Sequence, residues 1–218
     1  MALMKKKYSE IPADAVILGE EDALKYQLDI IRGWKKKNDT WIFNYGFTIL
    51  ASCSALSAIY INNHYRVKLR LLNFGRLSSY LPVVALPSIV SGIFHQQFIV
   101  TDVVLQKSCP TCVQLRAASF QSVLSTIFPT ILAPLAALPF AIRYNTYTVP
   151  LITKEPRKVF EMLYKHTKPI GNILLGILAV QGLVAALITY KESQSLTTVH
   201  RKLNELEERL ETEHQTTG

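Results

Sequence analysis

Two thiols three residues apart, in Cys109-Pro110-Thr111-Cys112, form the sharpest chemical motif in this sequence. Such spacing suits half of a metal site, a redox pair or a structural disulfide. Zinc needs four ligands, and no second Cys or His pair lies nearby. His95 and Cys53 stand apart, at the end of one apolar block and inside another. A thioredoxin-like role needs a strand running into a helix, a context missing around this motif. A disulfide closing the loop in an oxidising compartment, or ordinary free thiols, are the readings that remain open.

The other polar side chains in apolar surroundings are uncharged. His95, Gln96 and Gln97 stand near the end of one block, and Gln121, Asn172 and Gln181 lie inside two others. Within lipid, uncharged polar groups more often bond helix to helix than mark a transport path. The blocks contain no carboxylate or Lys/Arg to carry a proton relay. No Ser-His-Asp set, phosphate-binding glycine loop, dinucleotide fingerprint or His-Glu-x-x-His occurs in the sequence. We expect no catalytic residues, no metal and no cofactor.

The elements that must position these groups are plain. Four stretches of about 20 residues carry no Asp, Glu, Lys or Arg: 41–61, 77–100, 117–142 and 170–190. That is the length needed to cross the bilayer's hydrocarbon core as a helix, the form that satisfies its own backbone there. The fold class is therefore all-α, an integral membrane bundle of four transmembrane helices with flanking amphipathic helices. The composition agrees, with only 18% charged residues, below the quarter of a soluble domain. Four crossings joined by short polar linkers put both termini on one side.

The net charge of +8 is distributed in short runs beside the apolar blocks, as topology-setting and headgroup-binding charges are. This placement speaks against nucleic acid and for membrane lipid. Lysines and arginines near the span ends count ten on each side, so they do not choose an orientation. Lys5, Lys6 and Lys7 are followed by acids rather than an apolar run, so the start resembles neither a secretory signal nor a mitochondrial presequence.

The chain divides into three parts. Residues 1–40 hold an amphipathic helix near 21–36 with Leu24, Leu28 and Ile31 on one face. Trp34 and Lys35, Lys36 and Lys37 follow as interfacial anchors. A short solvated helix fits that segment equally well. Residues 41–190 form the transmembrane domain. Residues 191–218 carry a stripe of Val199, Leu203, Leu206 and Leu210 between charges. The stripe is only about two heptads long, so it should dock on a partner or on the chain's own loops. Pro82, Pro87, Pro129, Pro134 and Pro139 should bend the second and third spans. Ser88, Ser91, Thr126 and Thr130 are candidates to bond the carbonyls these prolines free. Gly171, Gly176 and Gly182, with Ala136 and Ala137, should permit close helix approach.

The third span and its flanks resemble a known family. Phe128-Pro129, then Ala137-Leu138-Pro139-Phe140-Ala141-Ile142-Arg143-Tyr144, then Val149-Pro150, are similar to the transmembrane protein 126 family. Ala85-Leu86-Pro87 with Phe98-Ile99-Val100, the pair Cys109 and Cys112, and Thr167-Lys168-Pro169 agree with it. The resemblance covers about residues 41–190. Phe128 stands where the family carries Tyr, and the C-terminal stripe is outside the family pattern.

The resemblance implies a multi-pass protein of the mitochondrial inner membrane that assists assembly of the respiratory complex I membrane arm as a chaperone. It implies partners among complex I membrane-arm subunits and other assembly factors. These are complex I intermediate-associated protein 30, an acyl-CoA-dehydrogenase-like factor and a Toll-pathway signalling intermediate. The cysteine pair leans toward the A paralogue, whose role is linked to the distal proton-pumping module. A permanent structural subunit of a membrane complex, or a small transporter, are the alternative functions.

Overall fold

The computed structural model describes residues 19–150 and 155–217. Six helices account for nearly all of them. Helix α1 is Glu20–Gly33, and α2 is Lys37–Lys68. Helix α3 runs through Arg76–Val104, and α4 through Pro110–Arg143. Helix α5 is Pro156–Thr167, and a 3-10 turn at Lys168–Ile170 leads into α6, Gly171–Thr217. Four of these are long and apolar enough to cross a membrane, and they form an antiparallel bundle. Helix α2 touches each of the other three, while α4 and α6 lie together along much of their length.

The packing follows the solvent. In lipid, apolar burial does not drive helices together, so close contact falls to small and hydrogen-bonding residues. The buried positions of the spans accordingly include Ser54, Ser57, Ala58, Ser88, Gly92, Ala117, Gln121, Ser122, Ser125, Ala133, Ala137, Gln181 and Ala185, beside larger residues such as Leu50, Ile61, Val83 and Ile99. Large side chains such as Leu56, Leu81, Leu135 and Leu183 point outward. A Cβ on Gly92 would lie 2.3 Å from the Phe47 ring, so glycine there sets the distance between α2 and α3. Gly182 faces Ser122 in the same way, at 2.8 Å from its Oγ. Gly171 and Gly176 meet nothing, which corrects their reading as packing residues.

Pro82, Pro87 and Pro129 are absorbed by π turns, whereas Pro134 and Pro139 lie within α-helix. A π segment at Leu81–Ala85 contains Pro82 and precedes Pro87, and one at Val123–Ile127 precedes Pro129. Widening the turn relieves the clash between the ring and the preceding carbonyl. A proline at 129 also frees the carbonyl of Ser125, and Ser57 Oγ donates to it across the bundle at 2.8 Å. The freed group thus finds a hydroxyl on a neighbouring helix. The four hydroxyls named from sequence do not fill this role: Ser88, Ser91 and Thr130 bond within their own helix, and Thr126 Oγ1 is buried without a partner.

Three sequence expectations change. Helix α1 turns its apolar face onto the chain itself rather than into solvent. Ile31 is buried with Ile42, Val104 and Leu196, and Leu24 and Leu28 pack against that cluster. The stretch after the third span is not all linker. It contains α5, whose Val159, Met162 and Leu163 cover Leu69, Leu71 and Leu138. The C-terminal stripe does not begin a separate helix either. No Gly or Pro lies between Gly182 and Thr217, so α6 runs unbroken from the fourth span through the stripe.

Candidate functional site

The groups with chemical capacity gather along the bundle axis and at its two ends. At the middle, Gln121 Nε2 donates to Gln181 Oε1 at 3.1 Å and lies 3.2 Å from the Leu50 carbonyl. Gln181 Nε2 donates to the Cys53 carbonyl at 2.7 Å. Ser122 Oγ donates to the Leu178 carbonyl at 2.9 Å. These bonds join α2, α4 and α6; those of Gln121 are buried and the other two partly so. Asn172, grouped with these residues from sequence, lies on the exposed side of α6 and outside the seam.

Toward the end bearing α1, the seam contains an unexpected charge. His95 Nε2 lies 3.1 and 3.2 Å from the two carboxylate oxygens of Glu192, and both side chains are buried. The carboxylate sits beside Gly46, where a Cβ would stand 3.0 Å from Glu192 Oε1. Gly46 is five residues inside the first apolar block, so a carboxylate reaches the bundle interior. This corrects the expectation that charge stays at the edges. The cause is the continuation of α6 past Tyr190 as a packed helix, which keeps Glu192 on its inward face.

Outside that pair lies a set of straps. Lys202 pairs with Asp39, whose carboxylate also accepts from the Trp34 indole at 3.2 Å, and Ser195 Oγ donates to the Asp39 carbonyl. Arg116 pairs with Asp102 across the α3–α4 turn, and Lys107 with Glu20 at 2.5 Å. In the same turn, Cys109 and Cys112 are joined by a disulfide with Cα atoms 5.3 Å apart, at the exposed start of α4. Trp34 therefore serves a strap as well as the surface, while Lys35, Lys36 and Lys37 are exposed. Among the described residues, no cluster of three His, Cys, Asp or Glu could hold a metal.

At the opposite end a single guanidinium organises the α2–α3 turn. Arg66 is buried, and it donates to the carbonyls of Leu72, Phe74 and Gly75 at 2.8, 3.0 and 3.3 Å and to Ser79 Oγ at 2.7 Å. Arg70 and Leu72 take positive φ of 53° and 42° in this turn. Such backbone costs about 1–3 kcal/mol per residue, and the guanidinium is what holds it closed. Gly75, at φ 57°, has Phe140 packed where a Cβ would stand.

The motif residues of the third span converge on this same end. Tyr144 stacks on Phe74 with centroids 4.7 Å apart, and Arg143 lies over the Tyr144 ring at 5.9 Å. Thr167 Oγ1 bonds Tyr65 OH at 2.7 Å. Pro129 is buried, Phe128 and Pro150 are half-buried, and Lys168 and Pro169 are exposed on the turn into α6. The spacing that links Leu138, Phe140 and Tyr144 to distant parts of the chain is thus a packing pattern around one hairpin end.

A family model described as Transmembrane protein 126 matches residues 30–206, which takes in the four spans, the Asp39–Lys202 and Asp102–Arg116 straps and the α2–α3 turn. The chain belongs to the Transmembrane protein 126 family. A relative named "Transmembrane protein 126" from Drosophila melanogaster is 43% identical over 216 residues, covering 98% of this chain and 97% of that protein. No solved structure matches. The family match reaches beyond the resemblance read from residues 41–190. It takes in most of the stripe, whose members the structure divides. Val199 is buried inside the chain, Leu203 is half-buried, and Leu206 and Leu210 are exposed by 51% and 59%. Sequence reasoning missed Arg66 and Glu192 as site residues. The signal for Glu192 was its place four residues before Leu196 and seven before Val199, in phase with the apolar stripe.

Proposed function

We propose that this Transmembrane protein 126 family member acts in the mitochondrial inner membrane as an assembly chaperone for membrane-arm intermediates of respiratory complex I, working by binding and not by catalysis. The observation that carries the binding role is the division of the α6 stripe. Leu196 and Val199 are covered by the chain itself, while the same face continues past the bundle as Leu206 and Leu210 with no cover from the described residues. The complex I assignment comes from the family resemblance in the third span. A chaperone of this kind needs a rigid membrane body and a docking edge, and the bonded seam and projecting helix supply these. Partners in this reading are complex I membrane-arm subunits and the assembly factors named above.

The test is blue-native separation with mass spectrometry on the tagged full chain, beside a deletion. The expected result is co-migration with partial complexes and loss of mature complex I in the deletion. Normal complex I without the protein would overturn the proposal, and one copy in every mature complex would recast the chain as a subunit.

A further inference from the structure

The bundle's two ends differ in charge far more than a count of lysines and arginines suggests. The segments on the side of the termini hold fourteen Lys and Arg and fourteen Asp and Glu. The two segments at the other end, 62–76 and 143–169, hold ten Lys and Arg against Glu155 and Glu161. The whole net charge of +8 therefore belongs to the α2–α3 turn, the end of α4 and α5.

The structure gathers those cations. Helix α5 packs on Leu69 and Leu71 of the turn and on Leu138 and Ala141 of α4, so the three segments form one cluster. Both acids are engaged within α5, Glu155 with Lys158 at 2.6 Å and Glu161 with Arg157 at 3.4 Å. Among the described residues no carboxylate pairs with Lys68, Arg70, Arg76, Arg143, Lys165 or Lys168, and all six are exposed. Between them stand exposed apolar and aromatic side chains: Leu72 at 81%, Leu77 at 84%, Phe160 at 71% and Tyr164 at 62%. Phe160, Tyr164 and Lys168 follow one another at intervals of four along α5 and the turn after it.

We infer that this end of the bundle is a binding site for the phosphate headgroups of acidic phospholipids, with α5 lying in the headgroup layer. The site stands at the bilayer boundary because α5 connects the end of the third span to the start of the fourth. Guanidinium groups match phosphate oxygens in pairs, and ammonium groups add point charge. Aromatic rings favour the headgroup zone, and the exposed leucines face acyl chains. One face of α5 is fixed to protein through Val159, Met162 and Leu163, so the cations are presented at a set depth. A basic pocket between helices at this level is the pattern that holds anionic lipid.

The test reconstitutes the purified full chain in nanodiscs of phosphatidylcholine with about one-fifth phosphatidylglycerol, then identifies retained lipid by native mass spectrometry. The ratio of retained phosphatidylglycerol to phosphatidylcholine should exceed the bulk ratio on the order of tenfold. Changing Arg76, Arg143, Lys165 and Lys168 together to Gln should return retention to the bulk ratio. The matching change of Lys25, Lys35, Lys36 and Lys37 to Gln should leave it enriched. Phe160→Ser with Tyr164→Ser should reduce retention with every charge in place. Should the fourfold change lose helix content by circular dichroism, the exposed pair Lys165→Gln and Lys168→Gln carries the same comparison. No enrichment in the natural chain, or equal loss in both fourfold variants, overturns the inference. Full displacement by soluble glycerophosphoglycerol at equal concentration also overturns it, since the site would then read phosphate without lipid.

Discussion

His95 and Glu192 show how much one residue depends on its neighbour in this bundle. A buried carboxylate is costly to leave without a partner, and among the described residues the His95 imidazole is the side chain that bonds Glu192. His95→Leu should therefore destabilise the bundle by roughly 3–5 kcal/mol, the scale for breaking a buried pair. Replacing both residues with Leu should recover most or all of that loss, because apolar groups of similar volume often substitute for a buried pair without cost. Thermal unfolding of purified single and double variants in one detergent checks this. A double variant no more stable than His95→Leu would refute the pairing argument. Arg66 makes a contrasting case, since its partners are carbonyls and a hydroxyl. Arg66→Ala should cost on the order of 3 kcal/mol, in line with charged hydrogen bonds lost from a closed turn. Cleavage by limited proteolysis should then appear between Leu69 and Gly75, where the natural chain resists.

At the scale of the element, the contact between α2 and α3 rests on Gly92. Its place is already filled by the Phe47 ring, and both helices are held on their other faces. Gly92→Val should force the helices apart or the ring out of place, at about 1–3 kcal/mol or more for overpacking. Phe47→Ala in the same chain should relieve part of the damage, and unfolding midpoints of the single and double variants measure it. The elements also show what sequence makes legible. Uncharged length announces a span, so all four spans were readable, with each helix running past its block at one end or both. Amphipathic segments were harder. Their period says that one face is covered but not by what, which is why α1 read as a surface helix and proves to be packed on α2 and the end of α3. Helix α5 had its own signals, Pro156 in the first turn and Val159, Met162, Leu163 and His166 in phase, but the charged residues interleaved with them hid the pattern. Site residues fared worst. Gln121 and Gln181 stood out as polar in apolar blocks, whereas Glu192 and Arg66 lie just past the block ends, where charge is ordinary in a sequence.

At the scale of the whole molecule, the buried seam and the end straps make the bundle a single body, and α6 carries its one large extension. Ending the chain after Leu203 should leave that body intact, because the last well-buried contact of α6 is Val199. Helix content per residue and the unfolding midpoint should stay within error of the full chain. Binding to partial complexes should be lost under the proposed function. A shortened chain that still co-migrates with them would place the docking edge elsewhere on the bundle.

The unbroken course of α6 has a mechanical consequence. A helix of 47 residues is about 70 Å long, more than twice the hydrocarbon thickness it crosses. With no glycine or proline between Gly182 and Thr217, the lipid-buried half and the aqueous half cannot turn independently. The helix is a lever with its fulcrum at the membrane surface. A five-degree tilt of the fourth span would carry the far tip sideways by about 3–4 Å over its 40 Å of outer reach. Whatever is grasped at that tip is thereby geared to the attitude of the span within the bilayer, and local membrane thickness becomes a quantity that the outer end can read.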